Sequence, residues 1–462
     1  MTAADWYEHA FFDTPEQDSV DGGTTSAGTL WHGVSPRWGH SMQTMCSYHG
    51  MFPAKVAHYF IQRYSRPGDV VLDPFSGRGT VLLQARVEGR VAICNDLNPL
   101  AYVLSRAKIE PPSWDSVQDF LTGLEKGYWQ SGAGEPIVPA DIRMLYHPNT
   151  LRQICYVRER LLNKPITLWS PDELMIGGAL AGIMHGSHRR DGTSQYLSIS
   201  MPNTFSMSPA YVEKYIRQNG LVTPDQDVFD CLRDKLARLY LDDIAGLPGR
   251  THHLDATSLL KGRHIKAHMV DLIVTSPPYL QVVNYGTANW IRLWLMGLDE
   301  VGREAGVGRK KLNEALDHRH TYTSYKQFLC RILQGVRRVL KPHGVAVIVI
   351  GDVADPGKDP RPLAAQIWQD VGDETGLQLI ELIEDQLPVQ NKVSRIWGET
   401  KGQATARDCA LVLARDDGEP YVRPGDIDWD EPYKDGGPDA AHVRFNGMRY
   451  ASDREVATLL KP

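Results

Sequence analysis

The stretch of this chain best equipped for chemistry is Thr275-Ser276-Pro277-Pro278-Tyr279. It follows Val270-Asp271-Leu272-Ile273-Val274, a largely apolar run that reads as a buried parallel strand. Neither proline has an N–H to donate and each fixes its own φ, so the chain leaves the strand as a stiff, extended loop. That loop carries a hydroxyl (Ser276), two carbonyls on residues without an N–H (Pro277, Pro278) and an aromatic face (Tyr279). In open α/β sheets, ligands bind at the carboxyl ends of the strands. A Pro-Pro turn that merely ends a strand would show the same two prolines, and a second motif far upstream argues against that reading.

The second motif is Asp73-Pro74-Phe75-Ser76-Gly77-Arg78-Gly79-Thr80, preceded by a turn (Pro67-Gly68-Asp69) and a short buried strand (Val70 to Leu72). A helix is expected from about Thr80 to Glu88. Gly77 and Gly79 let the backbone approach a ligand closely and adopt positive φ. A dinucleotide loop, G-x-G-x-x-G, would need glycine where Leu82 stands. Further on, Arg90 to Asp96 reads as the next strand and ends in an acid. A carboxylate there can accept both ribose hydroxyls of a nucleoside, or it can cap the helix that Asp96-Leu97-Asn98-Pro99 opens.

The two motifs together resemble the S-adenosylmethionine-dependent DNA amino-methyltransferases, which methylate N4 of cytosine or N6 of adenine. Their loops read D-P-F-x-G-x-G-T and [D/N/S]-P-P-[Y/F/W], and the S-P-P-Y form is the one most associated with cytosine. The resemblance covers about 40–110 and 250–415. It implies a Rossmann-like sheet, doubly wound and mostly parallel with an antiparallel last strand. It implies S-adenosyl-L-methionine as cofactor, held by Asp73, Phe75, Gly77, Gly79, Thr80, Asp96, Asp255 and Thr275, with Asp255 taking the adenine amino group unless it only caps the next helix. It implies Ser276, Pro277, Pro278 and Tyr279 as the catalytic set, with Tyr279 stacking on a base flipped out of double-stranded DNA. Tyr48 to Pro53, ahead of a helix from Ala54 to Tyr64, would enclose the methionine end of the cofactor. A cognate restriction endonuclease, a monomeric or homodimeric state and cytoplasmic location belong to the same expectation, with no metal and no membrane.

The chemistry follows from the amine. Its lone pair is delocalised into the base ring, so acceptors that grip its two hydrogens favour the geometry needed for attack, and preorganised acceptors are a large catalytic term. Ser276 Oγ and the Pro277 carbonyl suit that task. Methylation of a cytosine ring carbon would need a cysteine nucleophile, and none lies near the loop.

The elements that must position these loops are spread over 462 residues, enough for a large core with an insertion. Hydrophobic content is 42% and charge 23%, ordinary values for a globular protein, and no run approaches a membrane span. The start lacks the basic and apolar regions of a secretion signal. Six scattered cysteines support neither a disulfide framework nor a zinc site. A net charge of −6 argues against indiscriminate coating of nucleic acid but leaves room for a local basic cleft.

Residues 1–45 read as an extension that is flexible around Asp18 to Gly28, and 46–110 with 250–415 as the core. Residues 111–249 break the strand–helix alternation with helices and read as an insertion, either for target recognition or for bracing and dimerisation. Within it, His188-Arg189-Arg190 is a basic loop suited to phosphate, or a solvated charge cluster. Lys392 and Arg395 lie in a polar stretch, 390–403, before the last strand. Asn284-Tyr285-Gly286 and Trp290 to Leu298 read as a loop and an aromatic-rich helix near the target base, and 416–462 as an acidic appendage over the core. An RNA amine methyltransferase and a cofactor-binding regulator without catalysis are the alternatives. The first would use D-P-P-Y, and the second has no use for an intact S-P-P-Y.

Overall fold

Eight strands form one sheet among the described residues, in the order β1-β7-β8-β6-β5-β2-β3-β4. They are β1 (Thr24–Ser26), β2 (Val70–Asp73), β3 (Val91–Asn95), β4 (Arg250–His252), β5 (Val270–Thr275), β6 (Leu340–Val353), β7 (Leu377–Gln386) and β8 (Thr405–Arg415). The structure is a computed structural model. It describes residues 24–26, 30–31, 34, 38–48, 50, 53–189, 194–201, 208–242, 246–280, 285–298, 315–316, 321–353, 363–386 and 405–429. Only β8 runs antiparallel to its neighbours β6 and β7, which matches the expected last strand. The order reverses between β2 and β5: β3 and β4 extend to one side, β6 and the rest to the other.

Alternate residues of each strand feed two separate cores. Val71, Leu272 and Val274 belong to one, Val70, Leu72 and Ile273 to the other. Helices α1 (Ala54–Tyr64), α2 (Thr80–Val87) and α3 (Pro99–Ile109) cover the first face. The insertion packs on that same side through α4 (Trp114–Ser131), α5 (Pro148–Leu161), α6 (Pro171–Ile183), α7 (Pro209–Asn219) and α8 (Val228–Leu239). Helices α9 (Ala256–Lys261), α11 (Tyr322–Val339) and α12 (Leu363–Val371) cover the second face, while α10 (Trp290–Leu295) joins the first. The arrangement is doubly wound, as expected.

The insertion shares one continuous core with the sheet. Its centre is α6, buried on all sides from Glu173 to Ile183 and laid against α3. Three glycines make that fit possible. A Cβ on Gly177 would meet Trp169, one on Gly178 the Met45 sulfur, and one on Gly182 would run into the Met45 carbonyl oxygen.

Two expectations change. Thr24–Ser26, within the stretch expected to be flexible, pairs in parallel with β7 as an edge strand, and Trp31 Nε1 donates to Asp385 Oδ2 (3.0 Å) nearby. A three-residue edge strand has no periodicity to read; the β7 edge supplies its hydrogen-bond partners. In the helix after the S-P-P-Y loop, Trp290 and Trp294 are fully buried core residues, so its aromatic content serves packing. The described part of the tail crosses α1. Arg423 N donates to the Arg63 carbonyl (2.8 Å), Arg63 Nη1 to the Arg423 carbonyl (2.6 Å), and His58 Nε2 to the Asp428 carbonyl (3.1 Å). No helix among the described residues is long and apolar enough to cross a membrane.

Two glycine substitutions should separate packing from propensity. Gly182→Ala should lower the unfolding free energy by about 1–3 kcal/mol, because backbone has to move to admit the methyl. Gly123→Ala, on the exposed face of α4 with no atom within 4 Å of the added carbon, should raise it by about 0.5–1 kcal/mol. Urea unfolding followed by circular dichroism reads both; a neutral Gly182→Ala would contradict the close approach of α6 to Met45.

Candidate active site

Both motifs emerge where the sheet order reverses, from the carboxyl ends of the adjacent strands β2 and β5. The contact that joins them is a hydrogen bond: Thr275 Oγ1 donates to Asp73 Oδ1 at 2.6 Å, and Phe75 N donates to the same oxygen at 3.1 Å. The two loops border one cleft with about 1070 Å³ of free space, open solvent included. Asp73, Phe75, Gly77, Thr80, Asp96, Asp255, Ser276 and Pro278 all line it.

Gly79, Thr275, Pro277 and Tyr279 do not line the cleft, and each has a physical reason. Thr275 is fully buried and spends its hydroxyl on Asp73, so it fixes the acid in place. Gly79 takes φ +78° at the start of α2, where a Cβ would press on Leu82 and Ser105, so its role is helix entry and close packing. Pro277 is buried beneath the loop. Tyr279 is half-buried and its phenol is hydrogen-bonded with Ser276 and Asp408; burial pushes its pKa well up, the Asp408 carboxylate adds to that, and the Ser276 bond opposes it.

Gly77 turns at φ +50°, and its N–H donates to Asp96 Oδ2 (2.8 Å). Asp96 Oδ1 accepts from Asn98 N (2.8 Å), while the cap of α3 is the side chain of Asn98, which accepts from Leu100 N. The capping role therefore passes to Asn98, and Asp96 is left facing the cleft. Burial raises its pKa to about 6, against the pull of the backbone N–H groups of Asn98 and Gly77. Burial likewise lifts Asp73 to about 7, opposed by the bonds from Thr275 and Phe75, with Asp96 adding to the rise. Asp255 does cap α9: Thr257 N (2.9 Å) and Ser258 N (3.2 Å) both donate to Oδ1, and the residue also lines the cleft.

The cleft is thus acidic. Its lining cation, Arg78, turns its guanidinium to the Gln43 carbonyl (2.9 Å) and Thr80 Oγ1 (3.1 Å). A pyrophosphate would meet three carboxylates there, whereas hydroxyl donors or a positive centre would be welcome. A nucleoside carrying a sulfonium fits this set of acceptors; a dinucleotide does not.

Aromatic rings also line the cleft; Tyr48 and Tyr285 lie in stretches expected near cofactor and base, while Phe328 does not. Tyr48 lies over the glycine loop, its ring 3.5 Å from where a Gly77 Cβ would be, and its hydroxyl accepts from Asn98 Nδ2 (2.9 Å). Tyr285 stacks on it, with centroids 6.2 Å apart. Phe328 meets Phe75 edge-on at 5.9 Å. Tyr48 opens the expected enclosing stretch, so a signal existed; Phe328 sits in an ordinary helix period and offered none.

Of the basic residues, His188 is occupied locally: Nε2 donates to the Ser198 carbonyl (2.9 Å) and its own N–H to Ser200 Oγ (3.0 Å). Arg189 is exposed; Arg190, Lys392 and Arg395 lie outside the described residues. Among the described residues no group of three or more His, Cys, Asp or Glu is arranged to hold a metal ion, and no cysteine lines the cleft.

Known proteins give the same answer from another direction. The family model of the N6/N4 methyltransferases, described as DNA methylase, matches residues 6–105 and 270–408, just over half of the chain. The type II methyltransferase M.MvaI of Kocuria varians is 22% identical over 330 residues, 64% of this chain and 68% of that one. M.MjaII of Methanocaldococcus jannaschii, also a type II methyltransferase, is 30% identical over 79 residues, 17% of this chain and only 13% of that relative's length. Among solved structures, a DNA modification methylase of Thermus thermophilus, TTHA0409, in complex with S-adenosyl-L-methionine shares 22% identity over 37% of this chain and 56% of that one, with a TM-score of 0.21. An rRNA methyltransferase of Streptomyces viridochromogenes, aviRa, covers 80% of this chain and 87% of its own at 12% identity and a TM-score of 0.28. Scores that low carry no functional weight, but the family match spans both cleft-forming motifs and skips the insertion: this chain belongs to the N6/N4 DNA methylase family.

Proposed function

We propose that this protein moves a methyl group from S-adenosyl-L-methionine to the exocyclic N4 of a cytosine flipped out of double-stranded DNA. The observation that carries the reading is the Thr275–Asp73 bond, which sets the S-P-P-Y loop against the acidic glycine-loop cleft. When bound, the cofactor supplies an electrophilic methyl on a positively charged sulfur. Asp96 accepts ribose hydroxyls, and Asp255 accepts from the adenine amino group. The carboxylates near the glycine loop favour the positive charge.

The target amine is held by acceptors. Ser276 Oγ and the Pro277 carbonyl take its two hydrogens, turning the nitrogen lone pair toward the methyl, and Tyr279 stacks on the base. Neither Pro277 nor Tyr279 lines the cleft of the free protein, so the loop has to shift as the base enters. For Ser276 this means exchanging its partner, since its hydroxyl is engaged with Tyr279 in the free protein. No strong base is needed, because the methylated ammonium is itself acidic. Ser276 in place of Asp favours cytosine over adenine; the resemblance carries that choice. Recognition of flanking DNA falls to the insertion, and pairing with a restriction endonuclease belongs to the same reading. An RNA substrate is the alternative.

Three measurements test this. Purified protein with cofactor and duplex DNA should yield N4-methylcytosine on nuclease digestion and mass spectrometry. N6-methyladenine alone would overturn the choice of base, and methylation of RNA but not DNA would overturn the choice of polymer. Ser276→Ala should keep cofactor affinity and lose single-turnover rate by ~10²–10³. The third is a pH profile. Both acids have folded pKa values above those of the unfolded chain, so they favour the folded free protein at low pH, and that contribution fades as pH rises through about 6 and about 7. Hydroxyl donors and a positive ligand prefer the ionised acids. Cofactor affinity should therefore climb across the same window with proton release, read by calorimetry in buffers of different ionisation enthalpy. Asp96→Asn should weaken binding and remove its share of the slope.

A further inference from the structure

Residues 41–48 carry Tyr48 to the cleft, and their backbone is gripped by three cations from three parts of the chain. Arg78 of the glycine loop donates to the Gln43 carbonyl (2.9 Å). Lys235 of α8, in the insertion, donates through Nζ to the Thr44 carbonyl (2.7 Å). Arg292 of α10, downstream of the S-P-P-Y loop, donates to the Ser47 carbonyl (2.8 Å) and to Ser47 Oγ (3.0 Å), and its Nε reaches the Ala181 carbonyl in α6 (3.0 Å). At the other end Ser41 N donates to Asp242 Oδ2 (2.6 Å) and Ser41 Oγ to the Leu239 carbonyl (2.8 Å). Gly182 lets α6 touch the same segment, with Met45 O on one side and the Lys235 stem on the other.

Lys235 and Arg292 are buried, and both hold carbonyl oxygens of this segment; for Lys235 that carbonyl stands where an acid partner would be expected. Burial lowers the Lys235 pKa to about 8, and Arg238 and Arg292 add to the fall. A buried ammonium without an acid partner is costly, and an apolar side chain of similar length would fill the space at less expense. What the charge adds is direction: one donor aimed at one oxygen on a segment that has almost no regular structure of its own. Gln43 and Thr44 also end a single 3-10 turn, where carbonyls lack internal donors.

We propose that Lys235 and Arg292 are positioning residues for Tyr48. By fixing the Thr44 and Ser47 carbonyls they hold its ring over Gly77, so the insertion sets the shape of the cofactor cleft. This rests on the proposed function only in naming S-adenosylmethionine as the ligand.

Lys235→Met keeps the stem and removes the charged donor; Lys235→Arg restores a donor. Hydrogen exchange of the amides in 41–48 should quicken in Lys235→Met and recover in Lys235→Arg, with the melting temperature little changed. Cofactor affinity by calorimetry should fall roughly tenfold in Lys235→Met, the scale of one charge-assisted hydrogen bond. If the effect runs through Tyr48, adding Lys235→Met to Tyr48→Ala should cost nothing further. Arg292→Lys, which keeps charge but loses the fork, gives the same readouts should Lys235→Met not fold. Additive losses, or unchanged exchange in 41–48, would overturn the proposal. If the unaltered protein binds no S-adenosylmethionine, the functional reading fails with the cleft's role, while the exchange data still decide whether the cations hold the segment.

Discussion

The hydrogen bond from Thr275 to Asp73 is the constraint on which the rest depends. It spans 202 positions of sequence and joins the ends of β2 and β5 where the strand order reverses. Neither loop alone makes a site: the glycine turn is a cradle without acceptors for an amine, and the proline loop is a set of acceptors without a cradle. A buried hydroxyl donating to a buried acid fixes their separation. The acid contributes twice, since Phe75 N shares its Oδ1 and so starts the glycine turn from the same point.

Electrostatics then narrows what the cleft can take. A buried and a half-buried carboxylate with raised pKa values, Asp73 and Asp96, are a cost in the free protein, one that ordinary folding would avoid by protonation or by a neighbouring cation. Here the adjacent arginine is turned outward to the 41–48 segment. The imbalance makes sense if the missing partner arrives with the ligand. It also explains why a two-glycine loop suffices, since there is no pyrophosphate for a third glycine to admit.

Legibility in the sequence followed the range of the interaction. The strands β2, β3, β5 and β8 and both motifs were readable because apolar runs and loop residues sit side by side, while the antiparallel course of β8 came only with the family resemblance. Residues whose roles depend on distant partners were not. Asp96 and Asn98 are both polar residues before a helix, and only the fold shows that Asn98 caps it. Thr275 and Gly79 belong to the right strings, yet the sequence could not say that one braces an acid and the other admits a neighbouring helix. Trp290 and Trp294 have the spacing of any helix face, so core and base-stacking roles look alike. The clamp of Arg78, Lys235 and Arg292 has no local signature, because each cation answers a carbonyl far away in sequence.

The place where the insertion leaves the sheet has an evolutionary consequence. It departs after β3 and returns at β4, the outermost strand on that side, so its length can change without disturbing the β2–β5 junction. An insertion at the periphery of a sheet is usually exchangeable. This one is not a free cassette: α6 is threaded through the shared core, and its glycine face is matched to Met45. Grafting a foreign insertion would therefore demand co-inheritance of the 41–48 segment and of α3, because a chain that took one without them would lose the contact that seats Tyr48 at the cleft.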